Sequence, residues 1–202
     1  NEELILAYTV VQRDPCALIE LLTNHREHYL SLDEGSRSSY FYCIRDRYNA
    51  HKRNVDFGDY SAVWIERAAD MIFLNKTCFN GLFRVNASGM FNVPFGRYRN
   101  PVVFEEQNIL AVSQLLQRAT LQIGSFSDCD SLVDAETFVY FDPPYRPISQ
   151  TSSFTSYSNP RFDDDEQRRL AHFFADLAAR TGAKLMLSNS DPKNLNPNDD
   201  FF

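Results

Sequence analysis

Apolar positions in the first 118 residues recur at helical spacing. Leu4, Ile5, Tyr8 and Val11 follow Asn1, a helix-capping residue type, and predict a first helix with those four inward. Asp14-Pro15 places an N-cap before a proline at the first helical position, and Leu18, Ile19 and Leu22 give this second helix its apolar face. A polar stretch from Leu32 to Ser39 interrupts the pattern before Tyr40 to Arg47 resumes it. Asp59 opens a further helix, with Val63, Trp64, Ala68 and Met71 on its buried side. Between residues 75 and 100 the period changes. Phe83-Arg84-Val85 and Met90-Phe91-Asn92-Val93 flank Asn86-Ala87-Ser88-Gly89, the signal of a hairpin with a four-residue turn, and Pro94 and Gly96 end it. An amphipathic helix follows from Glu105 to Arg118.

From there the pattern alternates. A strand is expected at Thr120 to Ile123, and Phe138-Val139-Tyr140-Phe141 reads as an unbroken apolar strand of the kind buried in a parallel sheet. Ser152 to Asn159 is a polar, aromatic loop. Asp163-Asp164-Asp165-Glu166 sets acids at the start of a long helix to Arg180, Gly182 stops it, and Lys184 to Ser188 is the next strand. Strand, crossover helix, strand predicts a doubly wound α/β sheet.

The composition adds bounds. Hydrophobic residues make up 44% and charged ones 23%, ordinary for a soluble globular chain, and the apolar runs are too short to span a membrane. No signal peptide opens the chain, which starts on Asn1 and stops at Phe202 with no cap or turn, so a segment lacking both true ends is expected. Cys16, Cys43, Cys78 and Cys129 stand far apart, which favours reduced thiols and a cytoplasmic location over a zinc site or a disulfide framework. His25 and His28, three apart with no third ligand nearby, suit a solvated helix face better than a metal. Net charge is −7, yet Ser36 to Glu105 holds ten Lys/Arg against six Asp/Glu, or +4. No acid falls between Asp70 and Glu105, where Lys76, Arg84, Arg97 and Arg99 stand. A basic island on an acidic body is what a localised phosphate-contacting surface requires.

Asp142-Pro143-Pro144-Tyr145 follows the strand Phe138–Phe141 directly, at the sheet edge where open α/β sheets bind ligands. The lone pair of an aromatic amine is delocalised into its ring. A carboxylate (Asp142) and a carbonyl (Pro143), both aimed at the N–H groups, can localise it toward an incoming methyl group. The prolines stiffen the backbone, and Tyr145 offers a face on which an extruded base can stack. An Asp-Pro-Pro sequence is equally an ordinary way to leave a strand.

Asp142–Tyr145 resembles the DPPY signature of adenine-N6 methyltransferases. Phe73 to Asn86, continued by Gly89 to Tyr98, resembles the recognition hairpin of the Dam-type (D12 class) DNA adenine methyltransferases, closest to members recognising GATC. Thr151 to Tyr157 and Gly182 to Asp191 resemble family segments too. The resemblance implies a Rossmann-like sheet with an inserted helical target-recognition region. Residues 1–104 would form that region, its hairpin at about 75–100, and residues 105–202 the C-terminal part of the catalytic core. It implies S-adenosylmethionine as co-substrate with no metal, double-stranded DNA as partner, no membrane, and a cognate restriction endonuclease as a second possible partner. Asp142, Pro143, Pro144 and Tyr145 would form the catalytic motif, with Asp142, Ser125 and Phe126 against the cofactor. Arg84 would read a guanine, Leu82, Pro94 and Tyr98 would line the target step, and Lys76, Asn80 and Arg97 would touch bases or phosphates.

Two departures stand out. The family's glycine-rich cofactor loop is absent, since no two of the seven glycines are separated by a single residue. Ser125-Phe126 stands where the family often has an acidic residue and then an aromatic. Methylation of an amine on RNA or cytosine, a DNA-binding module without catalysis, and a plain interaction domain are the competing readings. The first does not account for the hairpin, and a glycine-rich strand–loop encoded just upstream of Asn1 would discriminate against the second.

Overall fold

The computed structural model describes residues 1–52, 55–146, 162–191, 193, 197 and 201. These fall into two compact units, Asn1–Ile123 and Gly124–Phe202.

The first unit is helical: α1 (Glu2–Arg13), α2 (Pro15–Ser31), α3 (Glu34–His51), α4 (Ala62–Thr77) and α5 (Glu106–Leu116). Asn1 caps α1 as expected, its side-chain oxygen accepting from the N–H groups of Glu3 and Leu4. Helix α4 packs against α1, α2 and α3 and buries Trp64, Ala68, Ala69, Met71, Phe73 and Leu74. The inward face of α1 differs from the expected one. Leu6, Val10 and Val11 are buried, whereas Leu4 and Tyr8 are exposed, and so is Val63 on α4. Leu6 and Val10 form a second stripe four residues apart, and packing on α4 and α5 selects it over Leu4 and Tyr8.

The expected break is confined to Leu32 and Asp33, and the polar stretch after them is helical. Asp33 caps α3 by accepting from the Ser36 N–H at 2.8 Å. Arg37 donates to the carbonyls of Tyr29, Leu30 and Arg99 at 2.9, 3.0 and 2.7 Å, which satisfies the end of α2. His25 is likewise not on a solvated face. It is buried, stacked on Phe73, with Nδ1 2.7 Å from the Tyr40 hydroxyl and Nε2 3.2 Å from Asp70, which Arg47 also grips. His28 does stay exposed. Ile109, Val112 and Leu116 of α5 lie against the first core, and the first compact unit runs to Ile123.

The second unit contains β1 (Phe138–Phe141), α6 (Asp164–Thr181) and β2 (Lys184–Leu187). The strands are parallel, with Phe138 opposite Lys184 and Phe141 opposite Leu187, so the chain is α/β with a small parallel sheet. Asp163 caps α6 by accepting from the N–H groups of Asp165 and Glu166, and Gly182 ends it at φ 72°, a conformation that glycine adopts without a Cβ clash. Phe141, Leu170 and Leu177 form the core, with Val139, Phe173, Phe174 and Leu185 around them. Helix α6 thus covers one face of the pair. The opposite face is open, with Tyr140 52% and Met186 54% exposed, where burial on both faces was expected of β1. Thr120–Ile123 forms no strand, because a strand needs a neighbour and none of the described residues pairs with it.

Candidate active site and nucleic-acid interface

Asp142 leaves β1 at the carboxyl end of the sheet, level with Ser188 leaving β2. The Ser188 N–H donates to the Phe141 carbonyl at 3.0 Å and continues the ladder by one step. Residues two apart on a strand share a face, so Tyr140 and Asp142 lie on the open face with Met186 and Ser188 beside them. There the Tyr140 hydroxyl donates to Ser188 Oγ at 3.0 Å, and Ser188 donates to Asp142 Oδ1 at 2.8 Å. The following loop is pinned from two elements. Gln167, buried in α6, donates to the Pro144 carbonyl at 2.9 Å, and Asn189 donates to Gln167 in turn. The Arg146 N–H donates to Asn189 at 3.1 Å, Ser190 donates to the Arg146 carbonyl, and the Arg146 guanidinium grips Asp164. The Pro143 carbonyl and Asp142 Oδ2 accept no hydrogen bond from the described residues, and Tyr145 is half exposed. The motif therefore presents an acceptor carboxylate, an acceptor carbonyl and a flat ring on a rigid turn. The aromatic loop at 151–159 lies outside the described residues.

Ser125 and Phe126 are committed internally. Ser125 and Asp128 form a reciprocal capping box on the 3-10 turn Phe126–Leu132, and the Ser125 hydroxyl also accepts from Arg169 at 3.1 Å. The Phe126 ring packs near Phe162 and Phe173 and carries the Arg169 guanidinium 4.1 Å from its centroid. Phe173 also touches Phe141, so one aromatic ring separates Phe126 from the strand that delivers Asp142.

In the first unit the expected hairpin is present, short and irregular, with antiparallel bridges Val85–Phe91 and Cys78–Phe95. Gly89 closes its turn at φ 72°, its N–H donating to the Asn86 carbonyl at 2.8 Å, while the Asn86 side chain accepts from Ser88 and Met90. All seven residues expected on DNA (Lys76, Asn80, Leu82, Arg84, Pro94, Arg97 and Tyr98) are exposed. Several are linked. The Asn80 N–H donates to the Tyr98 hydroxyl at 3.1 Å, and the Phe79 N–H donates to the Pro94 carbonyl at 2.9 Å. Arg84, an exposed residue, donates from Nε to Asn92 Oδ1 at 3.0 Å, and its two terminal nitrogens make no hydrogen bond among the described residues. Asn80 and Arg97 both sit at φ 55°, a left-handed conformation that asparagine tolerates and that costs an arginine roughly 1–2 kcal/mol.

Residues 1–201 match the D12 class N6 adenine-specific DNA methyltransferase family. The chain belongs to that family. It is 53% identical over 190 residues to the Type II methyltransferase M.MjaIII of Methanocaldococcus jannaschii, covering 94% of this chain and 63% of that protein. It is 35% identical to a DNA adenine methylase of Serratia marcescens over 80% of this chain and 56% of that protein. Against the DNA N-6-adenine-methyltransferase of Escherichia phage P1 the identity is 34%, over 96% of this chain and 24% of that protein. The chain thus spans less than two thirds of the length of these relatives.

Within this D12-class chain, the sequence reading missed residues that act at a distance. Ser188 and Gln167 meet the motif through hydrogen bonds spanning 46 and 23 residues, and Asn189 meets the adjacent Arg146 across 43, so the resemblance of Gly182 to Asp191 gave these side chains no role. Phe79 is 51% exposed between Cys78 and Asn80, and its apolar ring beside the expected base contacts was the one signal available.

Proposed function

We propose that the protein carrying this chain transfers a methyl group from S-adenosylmethionine to N6 of an adenine extruded from duplex DNA, within a GATC-like site. The observation that carries this reading is the turn after β1. An exposed carboxylate is fixed there by Ser188, and beside it lies a carbonyl whose neighbour, Pro144, is tied to Gln167. Asp142 and the Pro143 carbonyl accept from the two amine hydrogens and turn the nitrogen lone pair toward the donor. Tyr145 stacks on the base. The co-substrate supplies the activated methyl group. The described residues fit one edge of it: Asp142 is open at the sheet end, whereas Ser125 and Phe126 are engaged by Asp128 and Arg169. The doubly wound Rossmann-like sheet belongs to the same proposal, and the open Tyr140–Met186 face suits it, since an apolar sheet face is stable when covered.

In the hairpin, the Arg84 fork matches guanine O6 and N7, while Phe79, Leu82 and Pro94 offer apolar surface to the opened step. The Type II name of the archaeal relative favours a companion endonuclease acting on the same site. Asp142→Asn in the full-length protein should lower single-turnover methylation by orders of magnitude, as followed with methylation-sensitive digestion, and leave duplex binding largely intact. A rate within about tenfold of wild type, judged against the 10²–10⁴-fold usual for such groups, overturns the assignment.

A further inference from the structure

The function proposed above gives Asp142 its role, and the inference drawn here rests on that reading. Asp142 is exposed and stands at the first position beyond a strand, so its carboxylate has no packing to set its rotamer. Its described partner is Ser188, the register neighbour on β2, 2.8 Å from Oδ1. Ser188 is oriented in turn. The Tyr140 hydroxyl donates to its oxygen at 3.0 Å, which directs the serine proton toward Asp142, and donor chains of this kind strengthen each bond along them. All three side chains share the open face of the parallel pair, so their spacing is set by the ladder and not by a loop.

We infer that Ser188 is a positioning residue for Asp142, and that Tyr140, Ser188 and Asp142 form a relay of orientation that aims the second carboxylate oxygen at the target amine. One oxygen is held by the sheet and the other is presented to substrate. Ser188 touches no reacting atom. Its contribution is the fraction of time for which Asp142 points correctly, so it belongs to the rate of transfer and not to binding.

The test is single-turnover and steady-state methylation by the full-length protein, with DNA and S-adenosylmethionine titrated separately, for Ser188→Ala, Ser188→Thr, Tyr140→Phe and Asp142→Asn. A hydrogen bond to a charged group accounts for about tenfold to a hundredfold. Ser188→Ala should therefore lower kcat by about that factor with both KM values within about twofold. Ser188→Thr restores the hydroxyl on a β-branched side chain suited to extended backbone and should recover most of the rate. Tyr140→Phe should lose about twofold to fivefold, since it removes only the outer bond of the chain. A Ser188→Ala rate equal to wild type, with Asp142→Asn inactive, overturns the positioning role and leaves the proposed function standing. An active Asp142→Asn overturns the proposed function itself. Equal loss in Ser188→Ala and Ser188→Thr, or a rise in KM without a fall in kcat, also overturns the inference.

Discussion

Cys78 shows how much a single position can be asked to do. It ends α4, bridges to Phe95, and sits fully buried with its thiol donating to the Leu82 carbonyl at 3.1 Å. Gly96 lies so close that a Cβ there would stand 2.5 Å from the Cys78 carbonyl oxygen, so no side chain fits. Burial penalises the thiolate and pushes the Cys78 thiol up to about 11. Because the folded value is raised, the stability it confers is complete below the unfolded value, near 8.5, and is lost as pH climbs toward the folded one. Comparing urea midpoints of wild type and Cys78→Ala from pH 8 to 11 isolates the group. Wild type should lose ground to the variant above pH 9. A difference between the two that stays constant with pH would mean that the thiol is not held in its neutral form.

Among the elements, those with local signals were legible in the sequence. Asp14-Pro15 opens α2, Asp163 and Gly182 bound α6, and Phe138–Phe141 is a strand, because caps, glycine stops and apolar runs act within a few residues. The start of α3 was not legible, since its polar first turns are held by an Asp33 cap and by Arg37 reaching α2 and Arg99. The hairpin's turn could be read from Asn86 to Gly89, but its support could not. The side chain of Asn49, at the end of α3, pairs with Phe91 as a strand would, accepting from its N–H at 2.8 Å and donating to its carbonyl at 3.0 Å. Lys52 adds a bond to the Gly89 carbonyl at 2.6 Å. Asn49→Ala leaves two part-buried backbone groups unpaired, a cost of about 1–3 kcal/mol each where water cannot reach them. Hydrogen exchange should quicken across residues 83–93 while α1 and α4 keep their protection. Unchanged exchange in that segment would show that the helix does not hold the hairpin.

At the scale of the whole molecule, the charge of −7 and the proposed DNA partner are reconciled by distribution. Ser36 to Glu105 carries +4, and the cations exposed in the region free of acids are Lys76, Arg84, Arg97 and Arg99. Each phosphate neutralised on duplex DNA contributes about −0.9 to the slope of log K against log salt. If all four neutralised phosphates, these cations alone would contribute a slope of about −3.6. The four are not equivalent. Arg84, with Nε tied to Asn92, presents a fork suited to a base edge, and such a pair discriminates by about 1–3 kcal/mol. Lys76 and Arg99 have no such constraint among the described residues and suit phosphates on any sequence. Duplex binding by the full-length protein, measured from about 50 to 200 mM salt, should separate them. Arg99→Ala should flatten the slope by about one unit on cognate and altered duplexes alike. Arg84→Ala should bring a duplex altered at one guanine close to the cognate one in affinity, with little change in slope. If Arg84→Ala instead weakened every duplex equally and flattened the slope as Arg99→Ala does, then Arg84 would be one more phosphate contact, and the reading of guanine would have to come from another residue of the hairpin.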